Sequence, residues 1–202
     1  MSDAPLQLGI VILGPDPQVG PWTILGEGAD GPAHTLRIGA RCRIRSHSVI
    51  YSGNTIGDDF QTGHGVLVRE HNTIGHRVSI GSHSVVEHHV TIGDGVRLHT
   101  NVFVPEHSVL DAECWLGPGV ILTNARYPTS PTAKEELAGP HIGARARVGA
   151  GAVILPGISI GADALIGAGA VVTKDVAPGA VIVGNPGRAI GTVADIPQYR
   201  SS

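Results

Sequence analysis

Residues Ile74–Leu98 read IGHRVSIGSHSVVEHHVTIGDGVRL. Every sixth residue is a branched aliphatic: Ile74, Ile80, Val86, Ile92 and Leu98. A helix repeats every 3.6 residues and a strand every two, so neither explains a strict six. A short strand followed by a corner does. The phase runs outward in both directions. From Ile38 to Leu122 it holds through fifteen consecutive hexads, and all but the one at Thr62 open with Ile, Val or Leu. The second residue is often Gly, and the fifth is often small or aliphatic, as at Cys42, Ser48, Val66, Val78 and Ser84. The register breaks after Leu122 and resumes, shifted, at Ile142, Val148, Ile154, Ile160, Ile166 and Val172. Val19 and Leu25 form an earlier fragment of the same kind.

Three such sides close a triangular lap of eighteen residues. One lap is too small to bury its own core, so laps must stack, which predicts an all-β parallel solenoid. The first residue of each hexad points inward and the small fifth residue fits the corner, with Gly easing the turn. Cys42 and Cys114 fall on fifth positions and read as small core residues. The whole chain, 1–202, is expected to be one domain, with coils over 19–186, a loop excursion over 124–140 and a short turn-like tail over 187–202. Residues 1–14 are left open, with an edge strand as one reading.

Composition agrees. Aromatics are 3% of the chain, so small aliphatics must build the core, and Gly 29 and Pro 14 supply many tight turns. The net charge of −3 and the lack of a long basic run argue against nucleic acid or an anionic membrane as partner. No stretch reads as a signal peptide or membrane span. Two cysteines do not make a disulfide framework, and a cytoplasmic location is expected.

Residues eighteen apart should become vertical neighbours about 4.8 Å apart. One column reads Glu70, His88, Glu106, Asn124; the next reads His71, His89, His107, Ala125. A third contains His47, Gly65, His83, Asn101 and Gly119. In the first, an imidazole lies between two carboxylates. One carboxylate can hold Nδ1–H and leave Nε2 free as a general base, so His88, Glu70, Glu106 and Asn124 are the candidate catalytic group. The long excursion that begins at Asn124 suits a functional loop. Three histidines in a straight column cannot wrap one ion tetrahedrally, so His71, His89 and His107 read as a surface ladder and no metal is expected.

The hexad pattern resembles the left-handed β-helix of the hexapeptide-repeat acyltransferases, over roughly Val19 to Pro186. The resemblance supplies the handedness. The C-terminal segments VIGAGAVVTKDV-like (Leu165–Val176) and VGNPGRAI (Val183–Ile190) resemble the acetyl-CoA-binding end of hexapeptide acetyltransferases. That implies acetyl-CoA as acyl donor, a groove along Ala150, Ala168 and Gly169, and phosphate contacts from Lys174 and Arg188. It also implies a homotrimer whose clefts hold donor and acceptor. SVVEHHVTIG (Ser84–Gly93) resembles the catalytic segment of amino-sugar acetyltransferases, with His88 as the matching histidine and His89 where an acidic residue is usual. LGPGVILTNARYP (Leu116–Pro128) resembles the N-acetyltransferases of nucleotide-linked 3-amino sugars, whose Asn maps onto Asn124.

The expected function is therefore acetyl-CoA-dependent acetylation of an amino group on a sugar, with a nucleotide-linked sugar as acceptor and Asn101, His89 and Tyr127 as substrate-binding candidates. Three alternatives stay open. One is O-acetylation of a sugar hydroxyl by the same base. Another is a metalloprotein similar to the γ-class carbonic anhydrases, suggested by the spacing of His47, His83 and His88. The third is a trimeric scaffold without a working site.

Overall fold

A computed structural model describes residues 3–28 and 34–199. The chain winds as a left-handed β-helix whose laps build three parallel sheets. Sheet I has nine strands, from Leu6–Gln7 through Val85–Val86 to Val171–Val172. Sheet II has eight, from Val11–Leu13 through Thr91–Ile92 to Ser159–Ile160. Sheet III has ten, from Gln18–Val19 through Arg97–Leu98 to Ala180–Val183, closed by Arg188–Thr192. Neighbouring strands pair eighteen residues apart, as Val85 does with Leu67 and Phe103. No helix among the described residues is long and apolar enough to cross a membrane.

The hexad openers form the core: Ile38, Ile44, Ile50, Ile80, Val86, Leu98 and Leu122 are all buried. Thr62, the exception in the pattern, is buried as well, and its hydroxyl accepts the Arg45 N–H at 3.0 Å. Cys42 and Cys114 lie in this core, and burial pushes the Cys114 thiol up to about 12. Phe60, Asn54 and Asn72 occupy fifth positions too, so that position is not restricted to small or aliphatic residues. The two asparagines form a buried ladder: Asn54 Oδ1 accepts the Asn72 N–H at 2.8 Å, and Asn72 Oδ1 accepts the Val90 N–H at 2.7 Å.

Three expectations about turns and ends are corrected. The second-position glycines do not carry the turn. A Cβ on Gly57 would lie 2.8 Å from the backbone of Gly75 and His76, so glycine there admits the next lap. The left-handed conformation falls on the fourth position, which is often not glycine: His71 (φ 59°), His83 (58°), His89 (55°), Asn101 (59°) and His107 (63°). The coils also begin before Val19, because Leu6–Gln7 and Val11–Leu13 already pair in sheets I and II. The tail is not turn-like throughout, since Arg188–Thr192 pairs antiparallel with Ala180–Val183.

Two places lengthen the eighteen-residue rise, both at the corner from sheet I to sheet II, whereas the last lap is two residues short of it, with Leu165 paired to Val181. Ile24 pairs with Val49, seven residues beyond the regular offset, so extra chain lies between Glu27 and Leu36. Val109 pairs with His141, fourteen beyond it, and the excursion at 124–140 supplies the difference. Its neck closes where the Ala138 N–H donates to the Asn124 carbonyl at 2.9 Å.

The buried ladder gives a test. Replacing Asn72 with Ala strands the Val90 N–H inside the corner and should lower stability by about 1–3 kcal/mol. Urea unfolding of N72A, with its midpoint and slope compared with the wild type, measures the loss.

Candidate active site

The corner between sheets I and II runs the length of the prism. Its laps between Leu67 and His107 place polar side chains over the buried fifth residue. Arg69, Glu70 and His71 follow Leu67–Val68; Glu87, His88 and His89 follow Val85–Val86; Glu106 and His107 follow Phe103–Val104. Parallel pairing stacks these corners, so side chains far apart in sequence meet.

His88 and Glu106 make the closest contact, 2.7 Å from Nε2 to Oε1, with side chains 25% and 24% exposed. Asn124 extends the column by donating from Nδ2 to Glu106 Oε2 at 3.2 Å. On its other side His88 Nδ1 faces His89 Nδ1 at 2.8 Å. The expected roles of the two ring nitrogens are thus exchanged: Nε2 is held by a carboxylate and Nδ1 meets an imidazole. The physical reason is the extra ring at residue 89, which occupies the side of His88 where an acid was expected to sit.

Glu70 is drawn elsewhere. Arg69 donates from Nε at 2.8 Å and from a terminal nitrogen at 2.9 Å to its two oxygens, and also reaches Glu87 at 3.4 Å. The guanidinium lies over the Tyr51 ring, 5.1 Å from its centroid. Burial alone would raise the Glu70 pKa, but the Arg69 fork outweighs it and the carboxyl sits below its ordinary value. Glu70 is therefore an arginine-bound carboxylate next to the column, and the carboxylate on His88 is Glu106. Gly28, His34, Tyr51, Arg69 and His71 line a cavity of about 250 Å³ on this N-terminal side.

His71, His89 and His107 do form a ladder, with ring centroids 5.4 and 5.9 Å apart. Gly53 makes room for it, since a Cβ there would lie 2.6 Å from His71 Nδ1. Burial of its ring, then the neighbouring imidazoles His88, His71 and His107, hold the pKa of His89 below the ordinary value, with Glu70 opposing. Tyr127 lies on the excursion and is 63% exposed.

The donor-side residues divide between two edges. Lys174 lies at the corner between sheets I and II, in the same column as His88, because the pairings 85–103, 103–121, 121–153 and 153–171 carry residue 88 to 174. Lys174 and Arg188 line one cleft of about 350 Å³ with Gly187 and Ile182. Gly187 has a close neighbour: a Cβ there would meet Ile182 Cγ2 at 2.8 Å. Ala150, Ala168 and Gly169 instead lie at the corner between sheets III and I, with Asn101, His47 and His83. Gly119, Gly151 and Gly169 form an open shelf there, with nothing within 4 Å of an added Cβ. Within one chain, then, the alanine shelf and Asn101 do not share an edge with His88. The same division separates His47 and His83 from His88, and no group of three or more potential metal ligands lies together among the described residues.

Sequence reasoning missed one signal for the special edge. At the corner from sheet I to sheet II the second position of the hexad is Tyr51, Arg69, Glu87, Pro105, Thr123, Leu155 and Thr173, never glycine. The other two corners use glycine there in most laps.

The bacterial transferase hexapeptide model, of six repeats, matches residues 73–106 and 139–174. No curated protein matches the chain. Among solved structures, a UDP-N-acetylglucosamine acyltransferase from Arabidopsis is similar at 18% identity, with 95% of this chain and 73% of that one covered and a TM-score of 0.62. A mutant perosamine N-acetyltransferase from Caulobacter crescentus, in complex with CoA and GDP-perosamine, has 29% identity over 68% of this chain, with a TM-score of 0.42. The acetyltransferase domain of PglB from Neisseria gonorrhoeae, in complex with acetyl coenzyme A, has 20% identity over 89% of this chain, with a TM-score of 0.44. The chain spans 56% and 57% of the lengths of these last two.

The Arg69–Glu70 fork has a pH signature. Because the folded pKa of Glu70 is lowered, the pair stabilises the fold above the ordinary carboxyl range, and that contribution is lost as pH falls through the folded value. Solvent screening at this partly exposed pair keeps it to about 1 kcal/mol or less. Urea unfolding of Glu70→Gln should show that deficit at pH 7 and a narrowing gap toward pH 3.

Proposed function

We propose that the chain is an acetyl-CoA-dependent acetyltransferase of the hexapeptide-repeat kind, whose model matches residues 73–106 and 139–174. Its acceptor is an amino group on a sugar, in particular a nucleotide-linked one, in a cytoplasmic setting. The observation that carries this reading is a single edge of the prism. It holds a carboxylate-backed imidazole, Glu106–His88, and in the same column, four strand spacings or about 19 Å away, Lys174 beside Arg188. A phosphate-bearing donor held at the two cations can lay an extended arm along the edge and deliver its thioester to the imidazole. The sugar then approaches from the N-terminal side, where Arg69, Tyr51 and His34 line a cavity.

In the reaction the amine nitrogen attacks the thioester carbonyl carbon, the C–S bond breaks, and the departing sulfur takes up the proton that the amine gives away. The Glu106–His88 pair supplies the general base for that proton. Asn124 fixes Glu106 and, at the neck of the excursion, stands where an acceptor or the thioester must pass. A hydroxyl acceptor would use the same base.

The alanine shelf on the other edge finds its place in an assembly. The outward residues of sheet I are apolar in every lap: Leu6, Ile24, Val49, Leu67, Val85 and Phe103, continuing through Ile121, Val153 and Val171. Sheet II shows Arg37, Thr55, Thr73 and Thr91 at equivalent places. Three copies facing sheet I toward a common axis would bury the apolar stripe. They would also bring the His88 edge of one copy beside the Ala150–Ala168 edge of the next.

Two measurements test this. With purified protein, acetyl-CoA and a panel of amino sugars and nucleotide-linked amino sugars, thiol release should require both acceptor and His88. His88→Ala should lower kcat by about 10²–10⁴-fold, and unchanged turnover would remove the histidine from the reaction. Phe103→Glu combined with Ile121→Glu should shift the mass in light scattering from three chains of 20.8 kDa toward one and abolish transfer. A monomeric wild type with full activity would overturn the shared site.

A further inference from the structure

The contacts of His88 leave it no free lone pair for a substrate, and this decides where the substrate's proton enters. A carboxylate can only accept, so at 2.7 Å from Glu106 the His88 Nε2 carries hydrogen. In the neutral ring Nδ1 is then the acceptor, and the group 2.8 Å from it is His89 Nδ1, which donates. The outer nitrogen of His89, Nε2, accordingly bears a lone pair. Its ring is exposed, and Nε2 has no hydrogen-bond partner among the described residues. The rings of His88 and His89 cross at 87° with centroids 4.9 Å apart.

Resting on the acetyltransferase reading above, we infer that Glu106, His88 and His89 form a proton relay in which His89 Nε2 meets the acceptor and takes its proton. As the amine nitrogen bonds to the thioester carbon, one N–H proton passes to His89 Nε2. The proton on His89 Nδ1 passes to His88 Nδ1, and the resulting imidazolium keeps its Nε2–H on Glu106. When the C–S bond breaks, the thiolate receives a proton by the reverse path and leaves as the thiol. Nothing is oxidised, and the acceptor loses one proton as the sulfur gains one.

The surroundings suit this role. His71 and His107 flank His89 in the ladder, Glu70 stands nearby but is held by Arg69, and no cation of Arg or Lys contacts the ring among the described residues. Burial and the neighbouring imidazoles lower the His89 pKa, which keeps Nε2 unprotonated to lower pH than an ordinary imidazole. The acid limb of the kcat/KM profile should therefore fall below the usual imidazole range.

The discriminating variant is His89→Asn. Asparagine tolerates the left-handed backbone at this position (φ 55°), where alanine would be strained. Its side-chain amide replaces the Nδ1–H that orients His88 but has nothing at the place of Nε2. A relay predicts that H89N loses about 10²-fold or more in kcat, with KM for acetyl-CoA changed by less than about two-fold and the fold intact by urea unfolding. If His88 takes the proton directly and His89 only orients it, H89N keeps kcat within about three-fold of wild type, and the relay is overturned. A ¹⁵N imidazole spectrum of the full-length wild type should also show a coupling through the hydrogen bond between the two Nδ1 atoms, and its absence overturns the relay too. A wild type that transfers no acetyl group to any amine or hydroxyl acceptor overturns the function itself, and the relay with it. A wild type that transfers while H89N loses nothing overturns the relay alone.

Discussion

Everything in this molecule depends on one backbone arrangement: each lap hydrogen-bonds to the lap eighteen residues away, in parallel and without stagger. Gly57 to Ile74, Gln61 to Val78 and Leu67 to Ser84 repeat it at 2.9, 2.9 and 3.0 Å. The rise is set by strand spacing, so side chains at one phase are forced into columns whatever their chemistry. The corners must then turn within four residues, and the fourth position accepts the left-handed conformation. Five histidines and Asn101 do so here alongside glycines, which places imidazoles at the corners.

That geometry brings like groups together as readily as unlike ones. The corner between sheets I and II contains the pair Glu106–His88, the fork Arg69–Glu70 and a ladder of imidazoles, each within one or two laps of the next. Arginine decides between the acids: by capturing Glu70 with two hydrogen bonds, Arg69 leaves Glu106 as the partner of His88. The corner is anchored from below by the Asn54–Asn72 ladder, whose amides both donate to the Arg69 carbonyl at 2.7 Å. Buried polar groups thus hold the segment that presents the charged ones.

The hexad phase made the solenoid and its core readable from Ile38 onward, since burial at every sixth residue is the direct image of the pattern. The eighteen-residue columns likewise placed Glu70, His88, Glu106 and Asn124 in line. Two things were not readable. The ruler says which residues stack, but the rotamer of Arg69 decides which acid His88 meets. The ruler also fails across the excursion, because the fourteen residues inserted there shift the phase of everything after Leu122. Ala150 and Ala168 lie on a different edge from His88, while Lys174 lies on its own. The first coil went unseen because Leu6–Gln7 and Val11–Leu13 lie in a segment whose hexad phase is too short to stand out.

Both insertions fall at the same corner, and at neither does the ladder of strands lose a rung: Ile24 still pairs with Val49, and Val109 with His141. Lengthening such a detour adds only a slowly growing entropic cost, because its two ends are already held together by the neighbouring laps. The corner is in that sense a permissive port in a rigid column. Chain can be added or removed beside the imidazoles while the register beneath them stays fixed, so the shape offered to an incoming molecule is free to diverge without endangering the fold.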